Sequence, residues 1–348
     1  MLPRHRARFP APLCLAVAVV CAVLTLPAIA HAEFHLLRTT VLGGEGGWDY
    51  LTYDGVGHRL FIPRSTHVMV VDSDSLKIIG DLPNTPGVHG VVLVQELGRG
   101  FTSNGRDTSV TMFDLKTLQP LARIHVGMNP DAIVYDPASR HVFTMNGGSH
   151  DASAIDPATG TVVGTVALGG KPEEPACDGK GRMYVNLEDS SRIVTVDTRA
   201  LKLLDNWSLA PGEEPTGIAL DRTNNRLFSG CGNSKLVVSD VLRRSVVTTL
   251  PIGARVDGVG FDAARGLAFS SNGEGTLTVV HQESPANYTV VGTVPTAFGA
   301  RTLAFDPETH RIFLVTAQFG PLPDSTAAQP RPRRPTLPGT FQLMVFGE

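Results

Sequence analysis

The chain has 348 residues, of which 42% are apolar and 18% charged, a balance that excludes an intrinsically disordered polymer. Its 36 glycines and 25 prolines, set against 6% aromatics, predict many turns and few helices. A formal net charge of −3 excludes a general nucleic-acid surface, which requires a basic excess.

Residues 1–32 read as a signal peptide. Arg4, Arg6 and Arg8 form its basic start, Leu13–Leu26 its apolar core, and Ala30-His31-Ala32 an A-x-A cleavage signal. The apolar run is short and ends in small residues, which fits a transmembrane anchor less well. Cleavage near Ala32 would leave residues 33–348 in the periplasm or outside the cell. Lys plus Arg then falls from 30 to 27 against 33 acids, a net charge of −6. No later stretch is apolar enough to span a bilayer. Cys14 and Cys21 leave with the signal, so Cys177 and Cys231 remain.

Past the signal, Phe34–Leu42 reads as a lone strand ending in Gly43-Gly44. The glycine run Gly43–Gly47 has no helix after it and so offers no phosphate cradle. From there a four-run pattern recurs. Its most regular copy is Glu214–Gly253, with the runs GIALD, RLFSG, KLVVSD and SVVTTL. Turn residues Asn224-Asn225, Gly232-Asn233 and Arg243-Arg244 separate them, which predicts a four-stranded antiparallel meander.

The Asp ending the third run recurs as Asp72, Asp114, Asp156, Asp197 and Asp240, with His281 in the sixth copy, at intervals of 41 to 43 residues. The Asp ending the first run recurs as Asp54, Asp136, Asp178, Asp221, Asp262 and Asp306, with Gln95 in the second copy. A period in the low forties with four strands per unit is the signature of a β-propeller. Seven units begin near Gly47, Gly87, Met128, Lys171, Glu213, Ala254 and Gly299, and they leave no room for a second domain. After Arg311–Ala317 the last unit has only Gln342–Phe346 left, so it lacks a fourth strand. The ring of this all-β fold is therefore expected to close by pairing Phe34–Leu42 into the last blade, which limits exposed edges.

The unit motif stands as Pro215-Thr216-Gly217-Ile218-Ala219-Leu220-Asp221 followed by Leu236-Val237-Val238-Ser239-Asp240, and again as Pro130-Asp131-Ala132-Ile133-Val134-Tyr135-Asp136. It resembles the YncE-like family of secreted bacterial seven-bladed propellers built from YVTN-type repeats. Blade two (His89-Gly90-Val91) and blade four (Glu173-Glu174-Pro175) depart from the motif. The resemblance implies the fold and a scaffold class, related in architecture to propeller domains of redox enzymes and to lactonases. It does not imply an activity.

In a propeller the innermost strand of each blade lines a central channel, and the loops leading into those strands share one face. Counting back five residues from the first-run series gives one position per blade: Asp49, Gly90, Asp131, Glu173, Thr216, Asp257 and Arg301. Four are acids and one is a base, which reads as a ligand-binding funnel. Its carboxylates could hold a cation, a metal or a polyamine, or form a general acid/base pair. The alternative is that these residues cap tight turns, with Arg301 neutralising a neighbour. Trp48 could wall a small-molecule pocket or pack at the rim. His89, His67 and His150 with Asp151 could ligate a transition metal, although none shows a tight ligand spacing. Asp49, Glu173 and Asp257 are candidates for a divalent cation; no other cofactor is expected.

Cys177 and Cys231 stand at opposite ends of strands, about 16 Å apart at strand rise, too far for a disulfide. Two free thiols are expected, Cys177 buried and Cys231 able to react. No nucleophile motif is present. The Pro- and Arg-rich segment 318–340 interrupts blade seven and should be extended or disordered. It could be a lid or docking segment whose Arg331, Arg333 and Arg334 face the funnel, or an inert insertion. The expectation is a monomeric periplasmic or secreted binding protein that takes a small ligand or a protein partner at the funnel face without catalysis. A metal-dependent hydrolase of lactonase type is the alternative.

Overall fold

Copy by copy, the four-run pattern folds into a four-stranded antiparallel sheet, and seven such sheets make up the protein. The computed structural model describes residues 33–326 and 332–348, together with Met1 and Pro3. The signal peptide expected at 1–32 lies outside the described residues except for those two. Among the described residues no helix is long and apolar enough to cross a membrane.

The innermost strands are Thr52–Asp54, Val88–Val94, Pro130–Asp136, Pro172–Cys177, Pro215–Asp221, Val256–Asp262 and Leu303–Asp306. Each pairs with the next strand in sequence, and so on outward. Second and third strands are buried on both faces, as in Arg226–Cys231 and Leu267–Asn272, where every residue is buried. Such strands lose the polar-apolar alternation of a half-buried sheet. The outer strands keep it: Asn287–Pro295 alternates exposed and half-buried residues along most of its length.

Burial of the middle strands needs both neighbouring blades. The core accordingly divides into seven apolar clusters, each spanning two adjacent blades. One joins Leu60, Ile62 and Val71 of blade one to Phe313, Val315 and Leu343 of blade seven. Every second strand contributes one aromatic ring to this packing: Phe61, Phe101, Phe143, Tyr184, Phe228, Phe269 and Phe313, all buried. At ~2 kcal/mol or more per buried ring, these residues anchor the blade interfaces.

The two Asp series sit at the hairpin turns and cap them. Asp54 Oδ1 accepts from Val56 N and Gly57 N at 3.1 and 3.0 Å, and Asp240 Oδ1 accepts from Leu242 N and Arg243 N, both at 2.9 Å. The first series also ties blades together. Gln95 donates to Asp54 at 2.7 Å, Thr198 to Asp136 at 2.6 Å, and Gln282 to Asp221 at 2.7 Å, each from the adjacent blade.

The ring closes as the missing fourth strand predicts. His35–Val41 pairs antiparallel with Gln342–Gly347, from His35 opposite Gly347 to Val41 opposite Gln342. The glycine run that follows has a role the sequence does not announce. Arg64 is 1% exposed, and among the described residues no carboxylate pairs with it. Its guanidinium donates to the carbonyls of Gly47, Gly43 and Gly46 at 3.2, 3.1 and 3.0 Å, and lies 3.5 Å over the Phe341 ring. A loop presenting carbonyl oxygens inward binds a cation, the opposite of a phosphate cradle. Gly46 is required there: its φ is +98°, and a Cβ would collide with the Arg64 carbonyl oxygen. Burial pushes Arg64 down to about 10, still charged at neutral pH.

Arg64→Ala strands three carbonyls at the closure and should destabilise the fold by about 3 kcal/mol in urea unfolding. Arg64→Lys should recover little of this, because a single ammonium lacks the planar fork. A loss below ~1 kcal/mol for the alanine variant would show that the loop does not depend on the guanidinium.

Candidate functional site

The funnel residues owe their position to an irregularity shared by five blades. Pairing between the first and second strands shifts register at Val88/Val91, Pro130/Ile133, Pro172/Pro175, Pro215/Ile218 and Val256/Gly258. Such bulges bend a strand and re-aim its side chains. The residue after the first paired one in each blade is His89, Asp131, Glu173, Thr216 or Asp257. This corrects the ring position expected in blade two. Val94, not Gln95, ends the seven-residue inner strand, and Gln95 starts the 3-10 turn Gln95–Leu97. Counting from Gln95 therefore lands on Gly90, one residue late, and His89 takes the place.

Asp49, His89 and Asp131 meet. His89 Nδ1 lies 2.7 Å from Asp49 Oδ2 and 3.4 Å from Asp131 Oδ1. Arg301 Nε lies 3.1 Å from Asp257 Oδ2, and its Nη2 lies 3.8 Å from Asp49 Oδ1. Lys171 Nζ lies 2.8 Å from Glu173 Oε1 and also pairs with Glu188. Thr216 instead crosses a blade boundary, donating from Oγ1 to the Val256 carbonyl at 3.1 Å.

Three participants carry no mark in the repeat. The Tyr50 hydroxyl donates to Glu173 Oε2 at 3.4 Å, Glu174 Oε2 accepts from Ile218 N at 2.9 Å, and Lys171 clamps Glu173. Each lies one or two residues from a ring position. A regular pleat would turn Glu174 away from the channel and the shifted register of its strand brings it in, whereas Tyr50 comes from the loop preceding Thr52–Asp54.

The funnel is short of positive charge. Asp49, Asp131, Glu173, Glu174 and Asp257 face three bases: His89, Lys171 and Arg301. Burial pushes the Asp131 carboxyl up to about 6, with His89 drawing it back. Burial raises Asp257 to about 7 against the pull of Arg301. Glu173 and Glu174 both rise to about 8, driven first by burial; Asp131 adds to Glu173 and Asp257 to Glu174. Burial opposes the charging of His89, but its bond to Asp49 and the neighbouring carboxylates outweigh that and raise it. Arg301 is likewise raised by Asp257 and Asp49 against burial.

Other expected participants fall elsewhere. Trp48 packs at the rim, its ring 6.1 Å from Phe319 and 5.6 Å from Phe341. His67 sits 3.7 Å from Asp81, and Asp151 accepts from Asn146 at 2.6 Å; neither, nor His150, joins the group around His89. Of the three divalent-cation candidates only Asp49 does so; Glu173 is held by Lys171 and Asp257 by Arg301. Both cysteines are free, and Cys231 is fully buried, which corrects the expected reactivity. Burial raises its thiol to about 12, because Cys231 ends the buried strand Arg226–Cys231 and its Sγ packs against Gly212. The flanks of segment 318–340 zip together: Gly320 N donates to the Pro335 carbonyl and Leu337 N to Gln318, both at 2.8 Å. Beside them Phe298, Phe319, Gln318, Arg334 and Gln342 line a cleft of about 590 Å³. Among the described residues neither Arg333 nor Arg334 pairs with a funnel acid.

No family model matches the sequence, and no curated protein matches it. Among solved structures, the fold is similar to a chain from hydrazine synthase of Kuenenia stuttgartiensis, with a TM-score of 0.70 and 15% identity over 79% of this chain and 94% of that one. It is also similar to a chain of the mitotic checkpoint complex, with a TM-score of 0.74 and 12% identity over 97% of this chain and 99% of that one. The class these likenesses define is the seven-bladed β-propeller.

Carboxyls raised in the fold keep protons that the unfolded chain has released above about pH 4. Their contribution to stability is present at acid pH and is lost as pH rises through 6 to 8, and the raised His89 acts in the same sense. Tm should therefore be higher at pH 5.5 than at pH 8, and Glu174→Gln should flatten the difference; a Tm that climbs over this range would contradict the burial of these groups. Neither thiol should react with a disulfide reagent in the native protein, and both should react in denaturant.

Proposed function

We propose that the protein is a propeller binding protein of the YncE-like class, exported to the periplasm or secreted after cleavage near Ala32, which holds a small cationic ligand in its funnel. The family part of this reading is supported by the motifs Pro215–Asp221 and Pro130–Asp136, which recur at blade spacing. Export is supported by the basic, apolar and small-residue succession of residues 1–32. The funnel is assigned no chemical step, and the protein acts as a monomer.

One observation carries the ligand class. Five carboxylates converge on a half-buried channel with three bases, and burial raises four of them. A bound cation would supply the missing charge without disturbing the ion pairs to Lys171 and Arg301. Neutral ligands gain nothing from this arrangement, and anions would meet the repulsion of Asp49 and Asp131. The mitotic checkpoint complex contains a chain of this fold within an assembly, so the ring of loops is also compatible with a partner protein offering a basic segment to the same funnel.

Spermidine is a suitable probe for titration calorimetry on the mature chain. It should bind more tightly at pH 8 than at pH 6, because ionisation of Asp131, Asp257, Glu173 and Glu174 creates the site. The Glu173→Gln, Asp257→Asn double variant should weaken binding at least ~10-fold, about 1.4 kcal/mol. Binding that is stronger at pH 6, or equal in the double variant, would remove the funnel from the reading.

A further inference from the structure

We propose that Asp49, His89 and Asp131 form a site for one divalent transition-metal ion. The proposal rests on the reading of the funnel as a cation site and specifies one cation within it.

The ligand atoms are already gathered. One atom from each of the three side chains lies within 4.8 Å of the other two. His89 Nδ1 is 2.7 Å from Asp49 Oδ2 and 3.4 Å from Asp131 Oδ1. Nitrogen and oxygen ligands about 2.1 Å from a shared ion stand roughly 3 Å from each other, and the two separations from Nδ1 bracket that value. The residues come from blades one, two and three, and ring closure fixes their spacing.

An ion pair alone accounts for only part of this. His89 needs one carboxylate and takes Asp49 at 2.7 Å. The Asp131 side chain is only 16% exposed, yet among the described residues no donor reaches its carboxylate at normal hydrogen-bond length. This carboxylate keeps some solvent access, and one of its oxygens is gathered with the other two candidate ligand atoms. The remaining funnel bases are engaged elsewhere, Arg301 by Asp257 and Lys171 by Glu173 and Glu188.

The far side of the imidazole faces Gly105, and no side-chain acceptor among the described residues hydrogen-bonds to Nε2. A metal on Nδ1 requires the proton on Nε2 and an acceptor facing it. Nε2 and the Asn129 side-chain oxygen both face Gly105, where a Cβ would stand 2.7 Å from the first and 2.8 Å from the second. Glycine at 105 keeps that space open.

One imidazole and two carboxylates suit Mn²⁺, Fe²⁺, Co²⁺, Ni²⁺ or Zn²⁺, whereas Ca²⁺ and Mg²⁺ prefer oxygen-only shells. The His89 side chain is 29% exposed, so the open side of the ion faces the funnel and is free for water or a ligand.

The test uses chelator-stripped mature protein without an affinity tag. Co²⁺ alone should bind one per chain with visible d–d absorption, Zn²⁺ should displace it, and Mg²⁺ should not. His89→Gln and Asp131→Asn should each weaken Co²⁺ at least ~10-fold, and His67→Gln, beside Asp81 and outside the group, should leave it unchanged. If His89→Gln does not fold, Asp131→Asn decides. Absence of stoichiometric Co²⁺ binding, equal binding by Asp131→Asn, or displacement by Mg²⁺ would overturn the site. If spermidine binds and Co²⁺ does not, the metal site fails while the cationic funnel stands; if neither binds, both fail.

Discussion

The whole molecule depends on blades burying each other. A four-stranded sheet has two apolar faces and cannot cover either by itself. Here the middle strands are buried on both faces, and each finds cover only between two neighbours. Seven clusters at seven blade boundaries are the result, and the one between blades seven and one is complete only when the ring is closed. That makes the joint between blade seven and blade one the point of greatest consequence. The closing strand supplies the backbone pairing, and the buried Arg64 supplies the local clamp. Its guanidinium satisfies three glycine carbonyls and covers Phe341 with one planar group, which holds the linker of the closing strand against two blades at once.

Closure also creates the funnel. Seven inner strands converge on one axis, so whatever side chains begin them are brought together regardless of their separation in the chain. Asp49 and Asp257 lie on either side of Arg301 although more than half of the chain separates them. Bulges at the start of the inner strands turn those side chains inward, and the apolar blade walls limit their hydration. Burial then raises the carboxyls, and Lys171, Arg301 and His89 offset part of that cost. The excess of carboxylates over bases in the funnel is a product of the fold.

The repeat made most of the architecture legible. Blade number, strand order and the need for a strand from the N-terminus all follow from the Asp spacing and from the short last copy. The aromatic residue in each second strand recurs at the same period, but its role at the blade interfaces emerges only from the packing. Site residues were legible where they occupy the repeated position, as with Asp49, Asp131, Glu173, Asp257 and Arg301. Glu174 was not, because a regular strand would point it away and no periodicity reports a bulge; nor was Tyr50, because it lies in the loop before its strand, whose course the repeat does not fix. His89 was displaced by one in the count because a 3-10 turn replaces the Asp cap of blade two. Arg64 left no signal, since nothing local distinguishes it from a surface arginine.

Alone, the sequence determined a repeating β-meander, its period, its copy number and the chemical types at each turn, because strand and turn propensities are local. Only the tertiary structure decided which of those residues meet. The His89 pairing with Asp49 and Asp131, the burial that raises Glu173 and Glu174, and the engulfment of Arg64 all depend on the distance of each side chain from a common axis. Chain spacing does not encode that distance; ring closure sets it.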